Sequence, residues 1–199
     1  MKSIRQALCL ICLLFATVLI AQEDYLAIRT GYSNTSLTSS STSDISISPR
    51  NTWHLSLVYT YISENNLIGL SVEPGYMIKG SRVGTDTTDY KFNFLSMPIL
   101  FDFYPVKKLK ISAGPEIGYL LNAKNIVNDS TKVKINNVYD NRLEVSGTVS
   151  ASYSISYFAN LGVRYNRAFT PLAGNDEALK REDLFSEYFQ VFLTLKIAN

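Results

Sequence analysis

The chain has 199 residues, a length that suits one domain better than two. It carries 19 Lys and Arg residues against 17 Asp and Glu residues. Two of the basic residues, Lys2 and Arg5, lie in the N-terminal segment, so the charges of the remaining chain balance and give no indication of a nucleic-acid partner. Both cysteines, Cys9 and Cys12, lie in the same segment. The chain beyond it therefore has no disulfide and no thiol chemistry.

Residues 1–21 have the features of a secretory signal peptide. Two basic residues precede an apolar run from Ala7 to Ile20, and the small residue Ala21 stands before the polar Gln22. At about 14 residues, the run is short for a membrane-spanning helix. The sequence therefore predicts a cleaved signal peptide at 1–21 and one mature domain at 22–199.

The mature chain alternates between apolar and polar residues and has no run of 18 or more apolar residues, as a membrane helix would require. Alternation with a period of two is typical of β-strands with one apolar face. Each alternating segment is near the ~9–11 residues of a tilted membrane strand. The eight predicted strands, in chain order, are Tyr25–Tyr32, Trp53–Tyr61, Ile68–Met77, Leu95–Phe103, Leu109–Tyr119, Glu144–Tyr153, Ala159–Asn166 and Phe189–Ile197.

The connections between these strands alternate between long and short. Bacterial outer-membrane barrels have an even number of strands, long extracellular loops and short periplasmic turns. The sequence therefore predicts an all-β fold, an eight-stranded antiparallel up-and-down transmembrane β-barrel, in the cell outer membrane with both termini in the periplasm. The long connections are Ser33–Arg50, Lys79–Asp89, Asn122–Asn141 and Arg167–Asp183, and the short ones are Ser63–Asn66, Pro105–Lys108 and Ser154–Ser156.

Aromatic residues fall near both ends of the predicted strands, as in the two aromatic girdles of membrane barrels. A soluble sandwich or lipocalin-like barrel also alternates, but the girdles and the unequal loops favour the membrane. The predicted outer girdle comprises Tyr32, Trp53, Tyr76, Tyr90, Tyr119, Tyr165 and Tyr188. The predicted inner girdle comprises Tyr25, Tyr61, Phe103, Tyr153 and Tyr157.

The faces opposite the apolar ones carry charges of both signs. Because eight strands enclose a lumen that side chains can fill, these charges predict a paired plug and no open pore. Three prolines within strands, Pro74, Pro98 and Pro115, each remove a backbone donor and predict bulges. Another bulge is predicted near Phe94 and Leu95, where the aromatic residues change parity. The predicted inward charges are Arg29, Glu73, Lys110, Glu116, Glu144, Arg164 and Lys196.

Several segments resemble the PorT-like outer-membrane barrel proteins of Bacteroidota. The resemblance lies in Glu73-Pro74-Gly75-Tyr76, in the segments Leu95–Leu100 and Ala113–Leu121, and in Arg164-Tyr165-Asn166 of the penultimate strand. It covers the mature chain in strand order and implies an eight-stranded outer-membrane barrel. Most such proteins have no defined role, and the named member acts in protein secretion. The chain departs from the pattern by ending in Ala198-Asn199, where such barrels usually end on an aromatic residue.

His54 is the only histidine, and by alternation it faces the lumen. Glu73 on the neighbouring strand, with Ser56 or Ser71, would complete a Ser-His-Glu hydrolase site of the kind found in lipid deacylases. Those enzymes place the site toward the lipid, however, and a lumenal histidine is unremarkable. No catalytic, cofactor-binding or metal-binding residue is therefore assigned. The mature chain offers no cysteine ligand and no calcium-loop spacing.

The leading functional hypothesis is a non-enzymatic barrel with a structural or interaction role through its outer loops. The second is a component that assists protein secretion or transport, and the third is a lipid-modifying hydrolase. The expected surroundings are outer-membrane lipid and a possible secretion-machinery or envelope protein partner. No cofactor and no nucleic acid are expected, and the barrel is expected to be monomeric.

Overall fold

The computed structural model describes residues 24–39, 47–83, 88–127, 131–134, 142–172 and 184–198. No helix in these ranges is long and apolar enough to cross a membrane. The predicted signal peptide at 1–21 lies outside the described residues. The ten strand segments are β1 (Tyr25–Ser39), β2 (Ile47–Ile62), β3 (Ile68–Val72), β4 (Gly75–Val83), β5 (Thr88–Val106), β6 (Leu109–Val127), β7 (Thr131–Lys134), β8 (Leu143–Ser154), β9 (Ala159–Ala168) and β10 (Leu184–Ala198).

These segments build eight barrel strands. Segments β3 and β4 share one register against β5, because Val72 pairs with Ile99 and Gly75 with Ser96, so together they make one barrel strand interrupted at Pro74. Segment β7 pairs with β6 alone and belongs to the connection between β6 and β8. The predicted number of strands and their antiparallel, up-and-down order are confirmed.

The barrel closes where its first and last strands meet. Each barrel strand pairs with the next in the chain, and β1 pairs with β10 over a register that ends at Ser39 opposite Leu184. Every barrel strand therefore has two neighbours, and the described barrel wall, apart from the short β7 beside it, has no open edge. In a bilayer this closure is required, because lipid offers no hydrogen-bond partner to an open edge.

The outer surface of the barrel carries a continuous apolar belt. On β5, for example, Leu95 and Phe101 are about half exposed, while Ser96 and Asp102, which follow them in the chain, are buried. This is the inverse of a water-soluble protein and matches a wall with lipid outside and polar groups inside. The belt includes Trp53, Leu55, Leu57, Leu95, Met97, Phe101, Phe103, Ile111, Ile117, Tyr119, Phe189, Val191 and Leu195.

The wall continues beyond this belt at the long-loop end. Strands β5 and β6 have 19 residues each, against the ~9–11 that cross a bilayer. In the additional part of β5, Tyr90, Phe92 and Phe94 face inward and are fully buried, while Lys91 between them faces outward. This end therefore has an apolar core and a polar exterior, as expected in water. The core comprises Leu37, Tyr90, Phe92, Phe94, Leu120, Ala123 and Leu172. Strand residues thus occupy much of the predicted long loops.

The structure changes the set of residues that form the predicted aromatic girdles. Tyr90 was expected on the outer girdle but belongs to the inward core, and Tyr188 and Tyr25 are also buried inside the barrel. Both have polar partners there, since the Tyr188 hydroxyl donates to Glu116 and the Tyr25 ring packs under Lys196. The predicted girdle residues that do face outward, fully or in part, are Tyr32, Trp53, Tyr76, Tyr119 and Tyr165 at one end and Tyr61, Phe103, Tyr153 and Tyr157 at the other.

The bulge predicted near Phe94 and Leu95 is present, but its assignment to β5 is wrong, because this strand keeps the same face toward the lumen throughout. The register does shift here, but Asn93 pairs with Asn122 and Phe94 with Leu120. The extra residue is therefore Leu121 on β6, and it is β6 that changes face.

The predicted bulges at the three prolines are also wrong. The register runs unchanged through Pro98 opposite Glu116 and through Pro115 opposite Gly147, and it is equal on both sides of Pro74. A proline removes only its own donor, and its carbonyl still bonds normally. The carbonyl of Pro74 accepts from the Leu57 amide at 2.9 Å, and that of Pro98 accepts from the Glu73 amide at 3.0 Å.

Candidate functional site, the charged lumen

The middle of the lumen is held by one carboxylate between two guanidinium groups. Glu73 accepts two hydrogen bonds of 2.7 Å from Nη1 of Arg29 on β1 and one of 2.6 Å from Nη2 of Arg164 on β9. All three side chains are buried. In the order of the barrel, β9 lies four strands from the β3–β4 strand, directly opposite. The pair Glu73–Arg164 therefore spans the whole width of the lumen.

An aromatic ring fills the space beside these two arginines. Phe192 on β10 lies 4.1 Å from the guanidinium carbon of Arg29 and 5.6 Å from that of Arg164, both measured to the ring centroid. Gly162 makes room for this ring, since a Cβ there would lie 2.5 Å from Cζ of Phe192. A buried cation over a ring face is stabilised by the ring quadrupole.

A second cluster lies toward the long-loop end. Lys79 on β4 donates to Glu144 on β8 at 2.5 Å and lies 3.6 Å from Glu116 on β6. The hydroxyl of Tyr188 donates to Glu116 at 2.5 Å, and that of Ser186 donates to Glu144 at 2.8 Å. These contacts again join strands that are not neighbours in the sheet, so they fill the lumen rather than line it.

A third cluster lies toward the short-turn end. Lys110 on β6 donates to Asp102 on β5 at 3.1 Å and to the Ser71 hydroxyl at 3.2 Å. Ser71 also donates to Asp102, and its hydroxyl lies 2.9 Å from that of Thr60 on β2. The cluster ties four barrel strands together below the central arginines.

The three clusters balance their charges. They contain four buried cations, Arg29, Lys79, Lys110 and Arg164, and four buried carboxylates, Glu73, Asp102, Glu116 and Glu144. Buried charges are tolerated when each has a partner of opposite sign and further hydrogen bonds. The predicted charged plug is thus present in the described part of the lumen.

Sequence reasoning found six of these eight charges, but it did not name Asp102 and it missed Lys79. The pattern of buried residues on β4 includes Met77, Lys79 and Ser81, and extending the alternation by two residues would have included the lysine. Instead, Lys79 was expected to begin a long loop. Lys196, predicted to face inward, lies at the short-turn mouth against the Tyr25 ring at 4.3 Å and outside the three clusters.

His54 faces the lumen as expected, but the groups around it do not form a hydrolase site. Its Nδ1 lies 3.0 Å from the Ser33 hydroxyl, and its Nε2 has no hydrogen-bond partner among the described residues. The carboxylate of Glu73 binds the two arginines, and Ser71 binds Asp102. No described carboxylate is therefore placed to orient the histidine, which catalysis of this type requires.

Among the described residues, no group of three or more His, Cys, Asp or Glu side chains is placed to hold a metal ion. The ionic groups bind one another across the barrel, so the arrangement supports a structural role in which it holds the strands together.

Comparison with known proteins gives a family and a fold. A family model described as the outer membrane protein β-barrel domain matches residues 21–174. No curated protein matches the chain. The fold is similar to that of Neisserial surface protein A, with a TM-score of 0.59 and 11% identity over 88% of this chain and 100% of that one. It is also similar to Ail, the attachment invasion locus protein of Yersinia pestis, with a TM-score of 0.52 and 13% identity over 88% of this chain and 100% of that one. At such identities the likeness shows the fold alone.

Proposed function

This chain belongs to the outer membrane protein β-barrel domain family, and on that premise we propose that it is a non-enzymatic barrel, closed to solutes, that acts through its outer loops. The observation that supports a closed lumen is the ion pair between Glu73 and Arg164, which come from opposite sides of the barrel. Nη2 of Arg164 lies 2.6 Å from Oε2 of Glu73. The clusters of Lys79 and Lys110 lie on either side of this bridge.

The outer end supports an interaction role. The walls rise past the apolar belt and enclose the core around Tyr90 and Phe92, so the loop connections begin well outside the bilayer. A rigid, packed support of this kind presents loops to partners without needing the lumen. The interaction surface is therefore assigned to the connections at 40–46, 84–87 and 173–183.

Channel recording tests the closed lumen. Purified barrel added to a planar lipid bilayer should give no large, steady conductance, because the three clusters join side chains across the lumen. The control is an open porin of similar preparation, which shows that insertion is detected. A large, steady conductance of the native barrel would contradict the proposal.

Affinity purification tests the interaction role. The tagged native barrel, extracted in mild detergent from cells that produce it, should recover an envelope protein in stoichiometric amount. Replacement of residues 40–46 and 84–87 by Gly-Ser segments of equal length should abolish the recovery, while heat-modifiable migration stays unchanged. Failure of the native barrel to recover a partner would argue against this role.

The same experiment separates the secretion hypothesis. The finer resemblance to PorT-like proteins rests on the segments around Pro74, Pro98 and Pro115, and it remains a prediction. It would gain support if the recovered partner belonged to a secretion apparatus and if deletion of the barrel reduced secreted protein. A partner outside secretion would leave the interaction role in place and remove the PorT-like one.

A further inference from the structure

A cavity of about 300 Å³ opens at the short-turn end of the barrel, between the ends of β1, β5, β6, β9 and β10. Barrels of this type place their short turns in the periplasm. Four lysines line the cavity, namely Lys107, Lys108, Lys110 and Lys196, and no Asp or Glu is among its lining residues. It is separate from the outer loops and from the three lumen clusters, except that Lys110 is shared.

The third lumen cluster borders the cavity on its inner side. Lys110 lines the cavity and is buried, and the bond to Asp102 offsets its charge. Lys196 lies at the side, with its Nζ 4.3 Å from the centroid of the Tyr25 ring, while Lys107 and Lys108 are exposed on the β5–β6 turn. Three lysines thus line one partly open space, and no carboxylate is among the described residues that line it.

Asn160 adds a buried polar group to the same wall. This side chain is only 6% exposed and lines the cavity, and its Oδ1 has no hydrogen-bond partner in the described part of the chain. Buried amide oxygens in folded proteins are normally bonded. A ligand hydroxyl would supply the donor that the surrounding residues do not provide.

We propose that this cavity binds a small phosphate-bearing solute from the periplasm. A dianion suits the three lysines around this cavity better than a single carboxylate does, because the Coulomb attraction grows with the charge of the ligand. A volume of about 300 Å³ favours a small solute over a folded protein surface. This proposal goes beyond the function assigned to the lumen and the outer loops, and neither depends on it.

The test is a titration of the ¹⁵N-labelled barrel in detergent micelles with inorganic phosphate at pH 8, with ionic strength held constant by sodium chloride. We expect saturable amide shifts on the β5–β6 turn, at Asn160 and at Lys196, and no saturable shift with acetate, a monoanion. Shifts that follow ionic strength alone, or that saturate equally with acetate, would overturn the proposal.

Matched variants locate the site. The double variant Lys108→Gln/Lys196→Gln should weaken phosphate binding by roughly tenfold or more, since it removes two of the three lysine charges that are not offset by a carboxylate. The control Lys91→Gln/Lys124→Gln makes the same charge change at the opposite end and should titrate like the native barrel. Heat-modifiable migration of both variants confirms closure, and unchanged binding in the first variant would refute the assignment.

Discussion

At the scale of single residues, Glu73 has the most contacts to lose. It holds Arg29 and Arg164, and neither guanidinium is exposed to water that would replace the carboxylate. Removing one partner of a buried ionic group costs about 3–5 kcal/mol, because the other charge remains buried without compensation. The stability of the central bridge is therefore concentrated in one side chain.

We expect Glu73→Gln to lower the free energy of unfolding by about 3 kcal/mol or more. The measurement is urea unfolding in lipid vesicles, followed by the fluorescence of Trp53, the single tryptophan. Glu187→Gln is the matched control, since Glu187 accepts only an exposed bond of 3.2 Å from the Tyr165 hydroxyl. That variant should change stability by no more than about 0.5 kcal/mol. Equal effects of the two substitutions would show that the bridge has no special role.

The environment of His54 gives a second prediction at this scale. Because its Nδ1 meets Ser33 and the Glu73 carboxylate is occupied, His54→Ala should leave lipid A unchanged in mass when the variant replaces the native protein in cells. Mass spectrometry of extracted lipid A is the measurement. A shift by one acyl chain between native and variant cells would restore the hydrolase hypothesis.

At the scale of strands, β5 extends from the lipid into water and keeps the same face toward the lumen along its whole length. On the short-turn side of Phe94, Leu95 and Phe101 face outward while Ser96 and Asp102 face inward, whereas on the long-loop side Lys91 faces outward and Phe92 inward. The orientation of the strand stays the same, and the medium outside it changes from lipid to water. The change in polarity along β5 therefore marks a boundary of the bilayer and not a kink in the strand.

Tryptophan placed on either side of this boundary tests it. In a Trp53→Phe background, Phe101→Trp should be strongly quenched by brominated lipid, because this position lies on the apolar belt. Lys91→Trp should be quenched weakly, since it lies on the water-exposed extension. Similar quenching at both positions would mean that the bilayer covers the whole length of β5.

This boundary also explains what the sequence could and could not reveal. Alternation shows which residues share a face, and it correctly placed Arg29, Glu73 and Arg164 inside the barrel. It does not show what each face contacts. Tyr90 was therefore assigned to the girdle, although the same parity fits an inward core above the membrane. The burial of Lys79 was missed because a charged residue near a strand end was taken as the beginning of a loop.

Which charged side chains pair with each other within the lumen could not be predicted from the sequence, for a different reason. Glu73 and Arg164 are 91 residues apart, and their contact depends on strand number and register together. Local periodicity gives the strand count but not the shift between neighbouring strands. The extra residue at Leu121 illustrates the difficulty, since it alters the face of the outer part of β6 with no proline or glycine to mark it.

At the scale of the whole molecule, the barrel depends on the pairing of its two terminal strands. Strand β10 pairs with β1 along 14 residues of β1 and with β9 on its other side. Without β10, both neighbours would have open edges, and unpaired backbone groups in lipid cost several kcal/mol each. It also supplies Phe192 and Tyr188 to the lumen clusters. Loss of β10 would therefore open the barrel and disrupt the lumen clusters at the same time.

Truncation before Leu184 should for this reason abolish the folded barrel rather than weaken it. We expect the native protein to migrate faster in detergent gels before boiling than after it, and the truncated chain to migrate identically in both states and to be degraded by added trypsin. Removal of Asn199 alone is the control, and it should preserve the fast-migrating form, because the register of β10 with β1 ends at Ala198. If the truncated chain kept a heat-sensitive, trypsin-resistant form, closure by β1 and β10 would not be what holds the barrel together. The contacts of Glu73 with β1 and β9 would then have to suffice without the last strand.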